Sequence, residues 1–400
     1  MVKRVLLVNK FYYPRGGDCV VVLNTETLLR ENGVEAQVFA MEHQQNLPAH
    51  YQDHFASRVY FSGGMGEKWH ATKRTLGMGD VSARFEAVLD DFKPDVVHLH
   101  NVHSYLSPIV GALAHKRGIR VVWTLHDYKL LCPRYDCLLN NKPCEKCFSG
   151  AKINVLLHKC MKDSLPASGV AWLEALKWNR RTVEENTDLF ICPSQFMANK
   201  MKENGFDPAK LKVLNNFLDP VKRQQYQNID ITAPREDYYC FVGRLSAEKG
   251  ISDLLEVASQ LPYKLKVAGT GTLEPALRIK YADAPNIEFL GMIDAVEVAQ
   301  LLSKARFSVA PSQCYENNPL SVVESLCAGT PVAGSQIGGI PELIDSSNGI
   351  VFQAFDKDTL ATAINMSMAR EWDHAAISHH AMERFAPASH LHALMSDIYR

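Results

Sequence analysis

The stretch Tyr315–Ser335, YENNPLSVVESLCAGTPVAGS, decides how the chain is read. It follows RFSVAPS (306–312), an apolar run of the kind that a strand buried on both faces requires. Pro319 suits the first position of a helix, and Asn318 then suits the N-cap. On that reading Glu316 lies in the loop and Glu324 in the second helical turn. Free backbone N–H groups near Asn318, Pro319 and Leu320 face the same place. A helix start of this kind attracts an anion such as phosphate. A carboxylate there cannot also bind phosphate, but it accepts hydrogen bonds from hydroxyls. Two acceptors flanking an anion site suit a ligand with hydroxyl-rich parts on either side of phosphates, a nucleoside diphosphate sugar. The plainer alternative is a loop solubiliser at Glu316 and an incidental helix carboxylate at Glu324.

Working outward, similar runs recur along the chain. The first half carries VKRVLLVN (2–9), AQVFAM (36–41), DVVHLHN (95–101), VVWTLHD (121–127), LFICPS (189–194) and LKVLNN (211–216). The second half carries YYCFVG (238–243), KLKVAGTG (264–271), NIEFLG (286–291), RFSVAPS (306–312), PVAGS (331–335) and GIVFQ (349–353). Helical segments fall between them, for example CVVVLNTETLLRENG, which Gly33 ends. Alternating strands and helices in two series predict an α/β protein with two doubly wound parallel sheets. Four hundred residues are too many for one core, which agrees. The expected domains are 1–218, 219–380 and a final helix over 381–400 that packs back on the first domain. The polar, proline-bearing stretch 219–237 reads as the interdomain linker. Open parallel sheets bind ligands beyond the carboxyl ends of their strands. With two sheets, the site is expected in the cleft between them.

Composition excludes other classes. Net charge is −1, which does not call for nucleic acid as a partner. No run of 18 apolar residues is present. The start, MVKRVLLVNKFYYPRGG, has too short an apolar core for a signal peptide and reads as a first strand. Ten cysteines with no secretory signal point to a reducing cytoplasm.

Two more loops can hold an anion. Gly16 and Gly17 open a helix after the first strand, where backbone N–H groups are unpaired; a plain tight turn is the alternative. The fingerprint G-x-G-x-x-G is absent, which excludes a simple dinucleotide fold. In FVGRLSAEKG (241–250), Arg244 offers a planar fork of donors and Lys249 a compact charge. Together they would grip a diphosphate; the alternative is two solvated cations.

These segments resemble the retaining glycosyltransferases of family 4, which have the GT-B fold of two Rossmann-like domains. The resemblance rests on PRGG (14–17), DVVHLHN (95–101), TLHDY (124–128), FVGRLSAEKG (241–250), VAGTG (267–271), ENNPLSVVESLCAGTPV (316–332) and GGIPELI (338–344). It covers nearly the whole chain and includes the E-x7-E spacing of Glu316 and Glu324. The resemblance implies Arg244 and Lys249 on the donor diphosphate, Glu324 on the ribose hydroxyls and Glu316 near the donor sugar. It implies backbone contacts from Asn318, Pro319 and Leu320, and Gly16 and Gly17 facing the donor. Gly269 and Gly271 would lie near the base, and His126 would be the active-site histidine. His100 and Asp127 are the expected acceptor contacts. The implied reaction transfers a hexosyl group from a UDP- or GDP-sugar to a glycan or lipid-linked saccharide, with retention and without a required metal. A GT-B epimerase or phosphorylase and a non-catalytic sugar-nucleotide binder are the competing readings.

Three further features raise alternatives. His98, His100 and His103 form H-x-H-x2-H, with His98 and His100 on one strand face; acceptor contacts or packing stand against a metal. Asp127 either orients His126, binds acceptor or is a turn residue. Cys132, Cys137, Cys144, Cys147 and Cys160 fall in one segment. They read either as a structural zinc cluster or as free, redox-labile thiols. The sole D-x-D, Asp356-Lys357-Asp358, reads as a solvated helix start. Finally, Lys68, Trp69, Lys73, Arg74 and Arg84, and Lys152, Lys159, Lys162, Trp172, Lys177, Trp178, Arg180 and Arg181, interleave cations with Trp. Such surfaces suit peripheral contact with an anionic membrane; a solvated helix face with Trp packed inside is the alternative.

Overall fold

The apolar runs become strands because each buries side chains on both faces of a sheet. The structure, a computed structural model, describes residues 2–400. Every one of the runs named above holds a strand, and most strands end a few residues before the run does. The residues left beyond those carboxyl ends, among them His100 and His126, become loop. The chain divides into two compact units. The first takes in the chain up to Cys137, then Cys144–Asn215 and His390–Arg400; the second takes in Leu138–Pro143 and Asn216–Ser389.

In the first unit the strands are β1 (Arg4–Val8), β2 (Glu35–Phe39), β3 (Val96–Leu99), β4 (Arg120–Thr124), β7 (Leu189–Cys192) and β8 (Leu211–Val213). They form one parallel sheet in the order β2-β1-β3-β4-β7-β8. Val5, Leu7, Val38, Val96 and Val122 pack against Val22 and Leu29 of the helix Gly17–Glu31. The same core takes Leu394, Ile398 and Tyr399 from the end of the chain. The final segment therefore belongs to the first unit from His390 onward, and the helix His374–Arg384 before it belongs to the second.

The second unit holds β9 (Tyr238–Val242), β10 (Lys264–Ala268), β11 (Ile287–Gly291), β12 (Ser308–Ala310), β13 (Val332–Ser335) and β14 (Gly349–Phe352). Its sheet is also parallel, in the order β11-β10-β9-β12-β13-β14. Alternation along β9 feeds two cores: Tyr238 and Cys240 enter one, Tyr239 and Phe241 the other. The hairpin β5 (Leu138–Leu139) and β6 (Lys142–Pro143) went unread, since two-residue strands carry no periodicity.

The stretch 219–237 is not a linker. Asp219 caps a helix, Pro220–Gln227, by accepting from the N–H groups of Val221 and Lys222 at 2.8 and 3.0 Å. Tyr226 of that helix is buried. Further on, the Arg235 guanidinium donates to the carbonyls of Leu302, Ser303, Ala328 and Gly329. Those carbonyls lie at the C-terminal ends of the helices Ala295–Lys304 and Leu320–Cys327, which favour a cation. The pattern was missed because one buried aromatic in a polar helix leaves no amphipathic signal. Asp356 is, as read, a helix cap: its carboxylate accepts from Asp358 and Thr359 at the start of Lys357–Ala369.

Four histidines of the first unit are shielded from water, His98 and His100 buried and His126 and His390 half-buried. His98 is hydrogen-bonded through Nδ1 to the Tyr399 hydroxyl at 2.8 Å and through Nε2 to the Thr124 hydroxyl at 2.7 Å. Burial depresses His98 to about 3 and His390 to about 4, and it lowers His100 and His126 as well. Each is therefore neutral in the fold, while the unfolded chain protonates it below about pH 6.5. Between those values the unfolded state binds more protons, so stability falls as pH falls. Urea unfolding at pH 7.5, 6.5, 5.5 and 4.5 checks this. His98→Gln is expected to reduce the slope of unfolding free energy below pH 6.5 by about 1.4 kcal/mol per pH unit, one proton's worth.

Candidate active site

The strand order of the second sheet reverses between β9 and β12, so the loops leaving their carboxyl ends part and expose backbone. The loop after β9 runs through Arg244 to Lys249 and Gly250; the loop after β12 runs through Ser312 and Glu316 to Pro319. Lys249 Nζ is paired with Glu316 Oε1, and the Ser312 hydroxyl donates to the same oxygen at 2.9 Å. Burial works to raise the Glu316 carboxyl, but Lys249, Ser312 and Arg244 outweigh it and hold it below the usual range. Burial likewise opposes charge on Lys249, and Glu316 more than restores it. Arg244 is two-thirds exposed, with Glu248 3.9 Å away. Lys249 and Glu316 are thus paired with each other, while Arg244 stays open to solvent.

Glycine lets these loops stack. Gly269, at φ +123°, and Gly271 lie after β10, where a Cβ would strike the backbone of Gly243 and Leu245. Gly338, at φ +60°, sits against the backbone of Glu316, and Gly339 N–H donates to the Glu316 carbonyl at 2.6 Å.

The helix Leu320–Cys327 starts one residue later than read: Pro319, with ψ 121°, is its N-cap, and Asn318 precedes it. Asn318 could not cap because its side chain is used elsewhere. Its Oδ1 accepts from Asn216 N–H at 3.0 Å, and its carbonyl accepts from the Asn216 amide at 3.0 Å. Asn318 is 4% exposed, and its Nδ2 has no hydrogen-bond partner among the described residues. This unpaired donor lies beside the helix start. Glu324, in the second turn and 8% exposed, pairs with Lys222 Nζ at 2.5 Å. Lys222, Ser312 and Asn216 were not read as site residues. The Asp219-Pro220 helix start was the available signal for Lys222.

The first sheet reverses between β1 and β3. There the Asn9 side chain accepts from Asn101 N–H at 3.0 Å and joins the two loops. Gly16 is the N-cap of Gly17–Glu31 and provides no side-chain cap. Asp18 in the first turn accepts from Asn101 Nδ2 at 2.6 Å and lies 3.5 Å from Lys10. Burial would raise Asp18, but Lys10, His126 and Asn101 hold it at about 2. A carboxylate therefore already occupies the helix start that was read as an anion site. A Cβ at Gly17 would meet nothing within 4 Å, so packing does not require that glycine.

His126 Nε2 is hydrogen-bonded to His100 Nδ1 at 2.9 Å, with the rings stacked. His100 Nε2 is buried without a partner among the described residues. Asp127 accepts from Lys129 N–H at 2.9 Å, as a turn residue does, and its charge also acts on His126. His103 lies apart from this pair, 3.7 Å from the buried Glu174, which also holds Lys129 at 2.9 Å.

The cysteine segment does not form a metal cage. Among the described residues no group of three or more His, Cys, Asp or Glu is placed to hold a metal ion. Cys132, Cys137, Cys144, Cys147 and Cys160 are free thiols. The Cys137 S–H donates to Cys132 and draws it down to about 7; burial first, and then that bond, pushes Cys137 up.

The basic clusters also separate. Arg74 is buried and paired with Asp80, Arg84 pairs with Asp80 and Glu42, and Trp178 is buried. Lys152 donates into the carbonyls of Leu131 and Cys147, at 2.5 and 3.0 Å. Lys68, Trp69 and Lys73 remain exposed on the helix Met65–Thr75, next to a fully presented Met65. Among the described residues no helix is long and apolar enough to cross a membrane.

Two six-stranded parallel α/β units define the GT-B class of glycosyltransferases, and solved structures agree in fold. The lipopolysaccharide outer core galactosyltransferase WaaB superposes with a TM-score of 0.65 at 14% identity, over 98% of this chain and 99% of that one. Anabaena HepE in complex with UDP-glucose gives 0.63 at 17% identity, over 98% of both chains. Residues 15–222 match the family described as Glycosyltransferase Family 4, and residues 236–369 match Glycosyl transferases group 1. The chain belongs to Glycosyltransferase Family 4. It is also 26% identical, over 85% of its length and 87% of the other's, to an uncharacterised 42.6 kDa protein of the cps region of Klebsiella pneumoniae.

The two glycine environments predict opposite outcomes. Gly338→Ala is expected to cost about 1–3 kcal/mol, since it strains a positive φ and crowds Glu316. Gly17→Ala is expected to leave stability unchanged or slightly raised. Thermal unfolding of the two variants measures both.

Proposed function

We propose that the chain is a retaining hexosyltransferase that moves a sugar from a UDP- or GDP-sugar to a hydroxyl of a glycan or lipid-linked saccharide. The observation that carries this reading is one loop cluster in the second unit. It combines two cations, Arg244 and Lys249, a helix start with an unpaired buried amide at Asn318, and a largely buried carboxylate at Glu324. A diphosphate competes with Glu316 for Lys249 and meets Arg244 and the N–H groups at Leu320. Glu324 accepts from the ribose hydroxyls. Displaced from Lys249, Glu316 is left to accept from the donor sugar. Gly269 and Gly271 give the base a side-chain-free backbone to lie on. As the glycosidic bond breaks, charge grows on the leaving diphosphate, and both cations and the helix dipole stabilise it. This set supplies the positive charge that a divalent metal would otherwise provide, so the reaction is metal-independent.

In the first unit, His126 and His100 serve the acceptor and the transferred sugar, with Gly16 and Gly17 allowing close approach. Half-buried and neutral, His126 donates or accepts at a sugar hydroxyl without adding charge. The cps-region relative and the galactosyltransferase WaaB support a role in surface polysaccharide assembly, where acceptors are glycans or lipid-linked saccharides. Lys68, Trp69, Lys73 and Met65 then provide the peripheral contact with an anionic membrane.

A thermal-shift series with UDP, GDP and UDP-glucose tests the donor site. One nucleotide class is expected to raise the melting temperature, equally with and without EDTA, and Glu324→Ala and Lys249→Ala are expected to abolish the shift. No shift with any nucleotide would overturn the reading. For the membrane contact, flotation with anionic vesicles at low salt is expected to recover the wild type. A variant combining Lys68→Glu, Trp69→Ala and Lys73→Glu is expected to stay unbound.

A further inference from the structure

The segment that enters the second unit touches the E-x7-E region twice. At its start, Asn216 holds Asn318 through two hydrogen bonds, both at 3.0 Å. At its end, Lys222 reaches Glu324 at 2.5 Å. Between them Asp219 caps the helix Pro220–Gln227 through two N–H groups, one of them that of Lys222 itself. The backbone that carries Lys222 is therefore fixed before its side chain is considered.

The Lys222–Glu324 pair is not an exposed surface pair. The two side chains are 29% and 11% exposed, and Glu324 sits on a helix whose neighbouring Val323 and Leu326 lie in the core. A carboxylate so placed needs a compensating charge. Lys222 engages Oε1, and among the described residues the Glu324 carboxylate makes no other hydrogen bond. An ionised carboxylate accepts at both oxygens. With Oε1 anchored, the carboxylate plane is set and Oε2 is presented in one orientation.

We propose that Lys222 is a positioning residue of the nucleotide site, holding Oε1 of Glu324 so that Oε2 accepts from the ribose hydroxyls of the donor. This rests on the reading of the second unit as the donor site. Lys222 acts in two ways. It supplies a charged donor to one oxygen of Glu324, and it fixes the direction in which the other oxygen accepts. It contacts neither base nor phosphate, so its effect is confined to the ribose.

Titration calorimetry of the full chain tests this, using UDP, GDP and ADP as probes and the 2′,3′-dideoxy counterpart of whichever binds. Lys222→Met is expected to weaken the ribonucleotide about tenfold, the size of a lost charge-assisted hydrogen bond, and to leave the dideoxynucleotide within about twofold of wild type. Lys222→Arg keeps the charge and is expected to retain most of the preference for ribose. If the Met variant does not fold, Lys222→Gln takes its place with the same expectation. Wild-type affinity for the ribonucleotide in the Met or Gln variant would overturn the proposal. So would an equal loss for both nucleotides, which would mark a phosphate contact or a general packing role. Failure of the wild type to bind any of the three probes would instead remove the donor-site reading, and this proposal with it.

Discussion

The parallel pairing of Tyr238–Val242 with Lys264–Ala268 on one side and Ser308–Ala310 on the other is the constraint on which the second unit's chemistry depends. Chain order reverses at that strand, so connections leave it in opposite directions and the loops at its carboxyl end cannot cover one another. Into the opening go the Arg244–Lys249 loop from one side and the Ser312–Pro319 loop from the other. The first unit repeats the device at Arg4–Val8, and its opening collects Asp18, His100, Asn101 and His126. Both sites follow from the same rule of sheet winding and need no special backbone.

Charge in the two openings is handled differently. In the second unit the charges are paired across loops, Lys249 with Glu316 and Lys222 with Glu324. In the first of these the ammonium and the Ser312 hydroxyl outweigh burial and hold the Glu316 carboxyl below its usual range. In the first unit His98, His100 and His126 are neutral because loss of hydration strips them of charge, and their order comes from hydrogen bonds running Tyr399–His98–Thr124 and His100–His126. One opening is therefore ordered by charge pairs and the other by neutral hydrogen bonds.

The last residues of the chain take part in this order. Tyr399 is fully buried against His98, and Ile398 accepts from Arg120 through its carbonyl at 2.8 Å. The end of the chain is thus tied to β3 and β4, the two strands whose carboxyl ends carry His100 and His126. Truncation there would act on the histidine region through packing and hydrogen bonding.

The sequence by itself determined the twelve strands of the two six-stranded sheets, because buried parallel strands write unbroken apolar runs, and glycine marked close backbone approach at Gly269 and Gly271. It also located Arg244, Lys249 and Glu316 in the segments that follow two strands, and Glu324 in the helix beyond. It misread the 219–237 stretch, the cap at Asn318 and the cations at Arg74 and Lys152, since each depends on a partner far away in the chain. Asn318 is taken by Asn216, Arg74 by Asp80 and Lys152 by loop carbonyls, and no local pattern encodes those pairings. Only the tertiary structure decided that Lys249 faces Glu316, that Lys222 faces Glu324 and that His126 is held by His100. Side-chain pairing across loops is fixed by which strand ends the fold brings together, and strand neighbours are a property of the whole sheet.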